Sequence, residues 1–156
     1  MRRSTIALAI VAMLALPAGS AAAKRQGRTI TIEATSKIDN ARFVDIGPTG
    51  DSPGDMLVFT EKLFDAKGAQ IGSDAATCVR LFDVTSLCTG TYRLRGGQLM
   101  VQLLQPGPTG VYDQAITGGT GRFAGARGTV TVDQRPTGDS FTFKIRVDRV
   151  RHRKRR

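Results

Sequence analysis

The chain has 156 residues, a formal charge of +10, two cysteines and one histidine. That histidine, His152, lies in a basic C-terminal run, so no placed imidazole serves a serine or cysteine nucleophile. Two thiols without a neighbouring imidazole do not make a four-coordinate zinc site, and neither a metal nor a cofactor is expected.

The N-terminus reads as a signal peptide in three parts. Arg2 and Arg3 form a positive start, Ile6 to Leu16 an apolar core, and Ala21-Ala22-Ala23 a small-residue cleavage site after the helix-breaking Pro17-Ala18-Gly19-Ser20. The apolar run is shorter than the roughly 20 residues a membrane-spanning helix needs. Residues 1–23 are therefore expected to be removed on export, residues 24–28 to be a short linker, and the protein to be secreted or otherwise extracytoplasmic.

After the linker the sequence turns to short β-type runs separated by Gly, Pro and Asp. Thr29 to Ser36 alternates, with Ile30, Ile32 and Ala34 on one face and Thr31, Glu33 and Thr35 on the other. The turn-rich loop Gly47 to Gly54 follows. Asp55 to Asp65 reads as a strand, closed by Ala66-Lys67-Gly68 and paired with Gln70 to Phe82. Thr89 to Leu94 and Gln98 to Leu104 form a second hairpin around Arg95-Gly96-Gly97. Val111 to Thr117, Gly128 to Gln134 and Ser140 to Val150 complete about eight strands. In the last of these, Phe141, Phe143, Ile145 and Val147 form one buried face.

Short strands, tight turns and the absence of long crossovers predict an all-β, eight-stranded antiparallel up-and-down barrel over residues 29–148. A two-sheet sandwich is the alternative. A barrel of this size is either filled by side chains or holds one small ligand.

The charge is unevenly placed. Arg2 and Arg3 leave with the signal peptide, and six bases, Arg149, Arg151, Arg153, Lys154, Arg155 and Arg156, lie in the last eight residues. The rest of the chain carries only about +2. Residues 149–156 read as a solubilising tail or as a device for docking on an anionic envelope polymer or lipid. The tail has no interleaved aromatic residues, so nucleic acid is not the expected partner.

The glycine-rich stretch Ile116 to Val130 lacks the Gly-Lys-Ser/Thr ending of a phosphate loop, and no helix follows it. Its glycines are expected to serve tight turns and close backbone approach at a barrel rim. In an oxidising compartment Cys78 and Cys88, on successive strands, are expected to form a disulfide rather than remain as free thiols. Any proton chemistry falls to carboxylates, and Glu33, Glu61 and Asp74 lie within strands whose faces can point inward.

Gly54 to Leu81 (GDMLVFTEKLFDAKGAQIGSDAATCVRL) and Tyr112 to Gln134 (YDQAITGGTGRFAGARGTVTVDQ) resemble the allene oxide cyclase family. The GGTGRF-AGARG element is also similar to plant dirigent proteins. The resemblance implies an eight-stranded antiparallel barrel with an apolar cavity for a small apolar or aromatic molecule, and a homo-oligomer, since the plant relatives are trimers. It places Glu33 on the glutamate that assists epoxide opening, and Cys78 on a cavity cysteine. Thr35 and Glu61 replace the two water-holding asparagines, so the plant reaction itself is not expected. Glu33 and Glu61 are thus the catalytic candidates for an isomerase or cyclase, with Thr35, Phe59 and Leu63 as ligand-binding candidates. The other reading is a non-catalytic exported binding barrel docked by its basic tail.

Overall fold

The computed structural model describes residues 27–82, 85–107, 109–135 and 138–148. The expected signal peptide and basic tail lie outside the described residues, as does most of the expected 24–28 linker. Eight strands follow in chain order: β1 Gly27–Val44, β2 Met56–Phe64, β3 Gln70–Arg80, β4 Ser86–Leu94, β5 Gly97–Gln105, β6 Gly110–Gly119, β7 Arg127–Gln134 and β8 Ser140–Asp148. Each pairs antiparallel with the next, and β1 closes on β8, giving a closed all-β barrel. The sandwich alternative is excluded by that closure.

The local chemistry explains the meander. Between β2 and β3, the Asp65 carboxylate accepts the backbone N–H groups of Lys67 and Ala69 at 2.9 Å each. Gly68 supplies the positive φ, +79°, that an L side chain avoids. β8 buries Phe141, Phe143 and Ile145, as its alternation predicts, and turns Lys144 and Arg146 to solvent.

β1 runs eight residues beyond Ser36, where the simple alternation stops. A register shift between Ile38 and Asn40 inserts a bulge, so that Ala34 and Ser36 face inward before it and Ala41 lines the lumen after it. The lower half of β1 pairs with β8 and the upper half with β2.

The two ends of the barrel differ. At the end where β1 begins and β8 stops, Leu63, Tyr92, Leu99, Phe123, Phe143 and Ile145 fill the lumen, none more than 1% exposed. Tyr92 meets Phe143 edge to face at 4.9 Å between ring centres. Each such buried side chain stabilises the fold by roughly 1.5 to 3 kcal/mol.

Phe123 reaches this core from a single 3-10 turn, Gly121–Phe123, inside the glycine-rich stretch. The stretch behaves as expected of a rim. Gly121 has φ +58°, and a Cβ there would stand 2.2 Å from the carbonyl oxygen of Gly96. The glycine lets the connection between β6 and β7 fold flat over the hairpin of β4 and β5 and plug that end.

Candidate functional site

At the opposite end the lumen is open. The side chains at that level are small, with Ala41, Ala76 and Gly90 on three different strands, and they leave a cavity of about 720 Å³. Apolar and aromatic side chains, including Phe59, Leu103, Tyr112 and Phe141, make up most of the exposed wall, with polar groups set among them. This size falls within the usual range of small-molecule sites, about 300 to 1,000 Å³.

Two acids stand in that wall. Glu61 on β2 and Asp74 on β3 are register partners, both inward, and 5% and 7% exposed. The Ser36 hydroxyl donates to Glu61 Oε1 at 3.1 Å. Asp74 Oδ1 is buried without a hydrogen-bond partner. No basic side chain pairs with either acid; the ion pairs among the described residues are Lys62–Asp39, Arg80–Asp51 and Arg135–Asp133.

Burial without a counter-charge fixes their chemistry. It pushes Glu61 up to about 7, an effect that the Ser36 hydroxyl opposes and the negative charge of Asp139 assists. Burial, reinforced by the neighbouring Glu61 charge, raises Asp74 to about 7 as well. Asp139, at the lumen's edge, is also raised, chiefly by its partial burial. Both acids therefore change protonation near neutral pH.

The tyrosine and glutamine side chains of the lumen bond to one another. The Tyr92 hydroxyl donates to Gln114 Oε1 at 2.7 Å, and the Tyr112 hydroxyl to Gln134 Oε1 at 3.0 Å. Gln105 Nε2 also donates to Gln134 Oε1, at 2.9 Å. Burial raises both phenols, so neither ionises near neutrality.

Cys78 and Cys88 are directly opposite on β3 and β4 and form a disulfide whose residues line the cavity. The bridge agrees with the expectation of a pair rather than free thiols and is compatible with an extracytoplasmic protein.

The structure separates the sequence candidates. Glu61 and Phe59 line the cavity. Glu33 and Thr35 do not: both are exposed on the outer wall, because β1 turns Ile32, Ala34 and Ser36 inward and the intervening residues must face out. Glu33 therefore cannot act on a ligand in the lumen with Glu61. Leu63 faces inward but is completely buried in the plug, below the cavity, and is not among its lining residues.

The acid that partners Glu61 is Asp74, which the sequence offers as a strand acid without joining it to Glu61. The signal is the hairpin register counted outward from the Ala66-Lys67-Gly68 turn. Ser36 is brought in by the pairing of β1 with β2, two register positions from Glu61's own strand partner.

No protein-family model matches the chain, and no curated protein does. Solved structures do. Pyocyanin demethylase is 29% identical, with a TM-score of 0.69 over 74% of this chain and 99% of its own. The Diels-Alderase AbmU from Streptomyces koyangensis is 16% identical, with a TM-score of 0.66 over 78% of this chain and 64% of its own. The pterocarpan synthase dirigent protein GePTS1 is 14% identical, with a TM-score of 0.62 over 80% of this chain and 93% of its own. At their identities the last two show the fold alone. The sequence resemblance to cyclase and dirigent barrels thus holds at the level of the barrel that these proteins share with this chain.

Proposed function

We propose that this protein is a cofactor-independent barrel that admits a small, flat, apolar or aromatic molecule to the open half of its lumen and moves a proton on it, steering an isomerisation or ring closure. The observation that carries this reading is the facing pair Glu61 and Asp74, buried in an apolar-walled cavity with no basic partner. One member of such a pair gives a proton while the other takes one, and each is tuned to do so near neutral pH. The aromatic and apolar walls restrict the shapes a bound molecule can take, which is the other half of steering a cyclisation.

The similarity to pyocyanin demethylase supports the ligand class. Pyocyanin is a flat tricyclic heteroaromatic. We take from that neighbour the kind of ring system, and not the removal of a methyl group.

The test is deuterium incorporation. A panel of flat enolisable aromatic compounds is incubated with the protein in heavy water and read by mass spectrometry. Protein-dependent exchange at a carbon position, lost in Glu61→Gln and in Asp74→Asn, is the expected result. Binding without exchange across the panel would leave only a binding barrel.

A second reading, docking on an anionic envelope polymer or lipid, gains support from the distribution of charge. Arg127, Lys144 and Arg146 on β7 and β8, and Arg95 and Arg122 by the hairpin of β4 and β5, are exposed around the plugged end. None belongs to an ion pair among the described residues. The chain leaves β8 at this same end, so residues 149–156 continue from a pole that is already basic. Docking there would leave the mouth of the cavity free. The full chain and its Arg127→Ser/Lys144→Ser/Arg146→Ser variant are compared on phosphatidylserine-containing and pure phosphatidylcholine vesicles at low and high salt. Retention that ignores salt, or that the substitutions leave unchanged, would sink this reading.

A further inference from the structure

We propose that the lumen selects ring systems that carry a positively charged or protonatable nitrogen, seated against Asp74 and Glu61. This rests on the reading that the lumen takes a flat aromatic molecule, and adds to it the charge of that molecule.

The first ground is an unmet acceptor. Asp74 Oδ1 is the one buried side-chain nitrogen or oxygen among the described residues that lacks a hydrogen-bond partner, and Asp74 is 7% exposed and lines the cavity. Leaving such an atom unsatisfied is unfavourable, and a donor on the ligand satisfies it.

The second ground is that no basic side chain among the described residues forms an ion pair with the carboxyl groups of the cavity. The charged and titratable groups around the cavity are Lys37, Glu61, Asp74, Tyr92, Tyr112, Arg135 and Asp139. Lys37 holds its ammonium over the Phe64 ring, 5.5 Å from the ring centre. Arg135 is paired with Asp133. Both tyrosine hydroxyls donate to glutamines. Three carboxyl groups, Glu61, Asp74 and Asp139, therefore line the cavity without an ion-pair partner among the described residues.

The third ground is the wall. Phe59, Tyr112 and Phe141 line the cavity, and aromatic rings attract a cation that has left water.

A consequence follows for protons. A neutral ligand leaves the pair protonated as in the empty barrel, whereas a cation favours its charged form and displaces a proton. Because burial holds both acids near pH 7 in the empty lumen, the affinity for a permanent cation rises as pH rises through neutrality.

Two probes of nearly equal shape test this: N-methylacridinium, charged at every pH used, and acridine, neutral at pH 8. They are titrated into the full chain by fluorescence. The expected result is that the cation binds about tenfold or more tightly than acridine at pH 8, and that the cation's own affinity falls as pH is lowered from 8 to 6. Asp74→Asn is expected to remove the preference and leave acridine bound. Glu61→Gln, read in the same way, guards against one variant failing to fold.

Equal affinity for the two probes, or a preference that survives both substitutions, would overturn charge selection while the aromatic reading stands. If neither probe binds, both fall.

Discussion

Glu61 and Asp74 are thirteen positions apart in the chain and directly opposite across β2 and β3, with both carboxyl groups inside the barrel. Pairing like-charged groups in a dry wall destabilises the fold once both are ionised, and proteins keep such pairs where they are used.

The cost sets a pH dependence with a definite sign. Both acids have folded pKa values, about 7, above their ordinary values of 4.5 and 3.8. The folded state therefore binds more protons than the unfolded chain between about pH 4 and pH 7, and stability falls as pH rises through that window. Glu61→Gln and Asp74→Asn are each expected to stabilise the protein at pH 8 by on the order of 2 to 3 kcal/mol and to change little at pH 4. Urea denaturation at the two pH values checks this, and equal effects at both would exclude the buried acid pair.

Ser36 acts on the pair through one hydrogen bond, donated to Glu61 Oε1. That bond favours the ionised form, so Ser36→Ala is expected to move the titration of the pair upward. The carboxyl stretch in infrared difference spectra over pH reports the shift. A midpoint that stays put or moves down would mean that the hydroxyl points elsewhere.

Phe59 and Leu63 lie on the same face of β2, yet their truncations should separate function from stability. Leu63 is fully buried in the plug, and Leu63→Ala is expected to cost about 2 to 5 kcal/mol with little direct effect on ligand affinity. Phe59 lines the open cavity, and Phe59→Ala is expected to weaken probe binding at a smaller cost in stability. Glu33→Gln, on the outer wall, is expected to leave both within error.

Small residues hold the cavity open. A Cβ on Gly90 would stand 3.4 Å from Ala76 and Val101, in ordinary contact, so a larger side chain there grows into the lumen rather than into backbone. Ala76→Leu and Gly90→Val are expected to lower the affinity for flat aromatic probes while the fold persists by circular dichroism. Undiminished binding would place the ligand outside the lumen.

The rim glycines are a contrasting case. Gly128 has φ +134°, and a Cβ there would stand 2.0 Å from the Lys144 carbonyl oxygen. Gly128→Ala is expected to destabilise by several kcal/mol, measured as a lowered thermal midpoint, because neither the backbone angle nor the neighbour can yield cheaply. Reduction of Cys78–Cys88 should cost about 2 to 3 kcal/mol for a loop of this length.

Much of this protein is determined by local pattern. Period-two alternation in Ser140–Asp148, the Asp65 and Gly96 turns and the short spacing of the strands suffice for an antiparallel all-β meander, because each is a matter of neighbouring residues. The same alternation puts Phe59, Glu61 and Leu63 on one face of β2, and sets Glu33 apart from Ile32 and Ala34. Glu33 is a candidate both as a strand acid and through family resemblance, against its own strand's pattern, and parity prevails because a strand cannot bury both faces in a barrel with a wet exterior.

Only the tertiary structure decided which inward residues meet a ligand. Facing inward is common to Leu63 and Phe59, but one falls among bulky neighbours and the other beside Ala41, Ala76 and Gly90, each on a separate strand. The bulge in β1 and the closure of β1 on β8 set those levels, and the pairing of β1 with β2 brings Ser36 to Glu61 across 25 positions. The acidity of Glu61 and Asp74 follows from the same cause. A carboxyl group carries its ordinary pKa in the sequence, and it is the exclusion of water by residues distant in the chain that makes this pair titrate near neutrality.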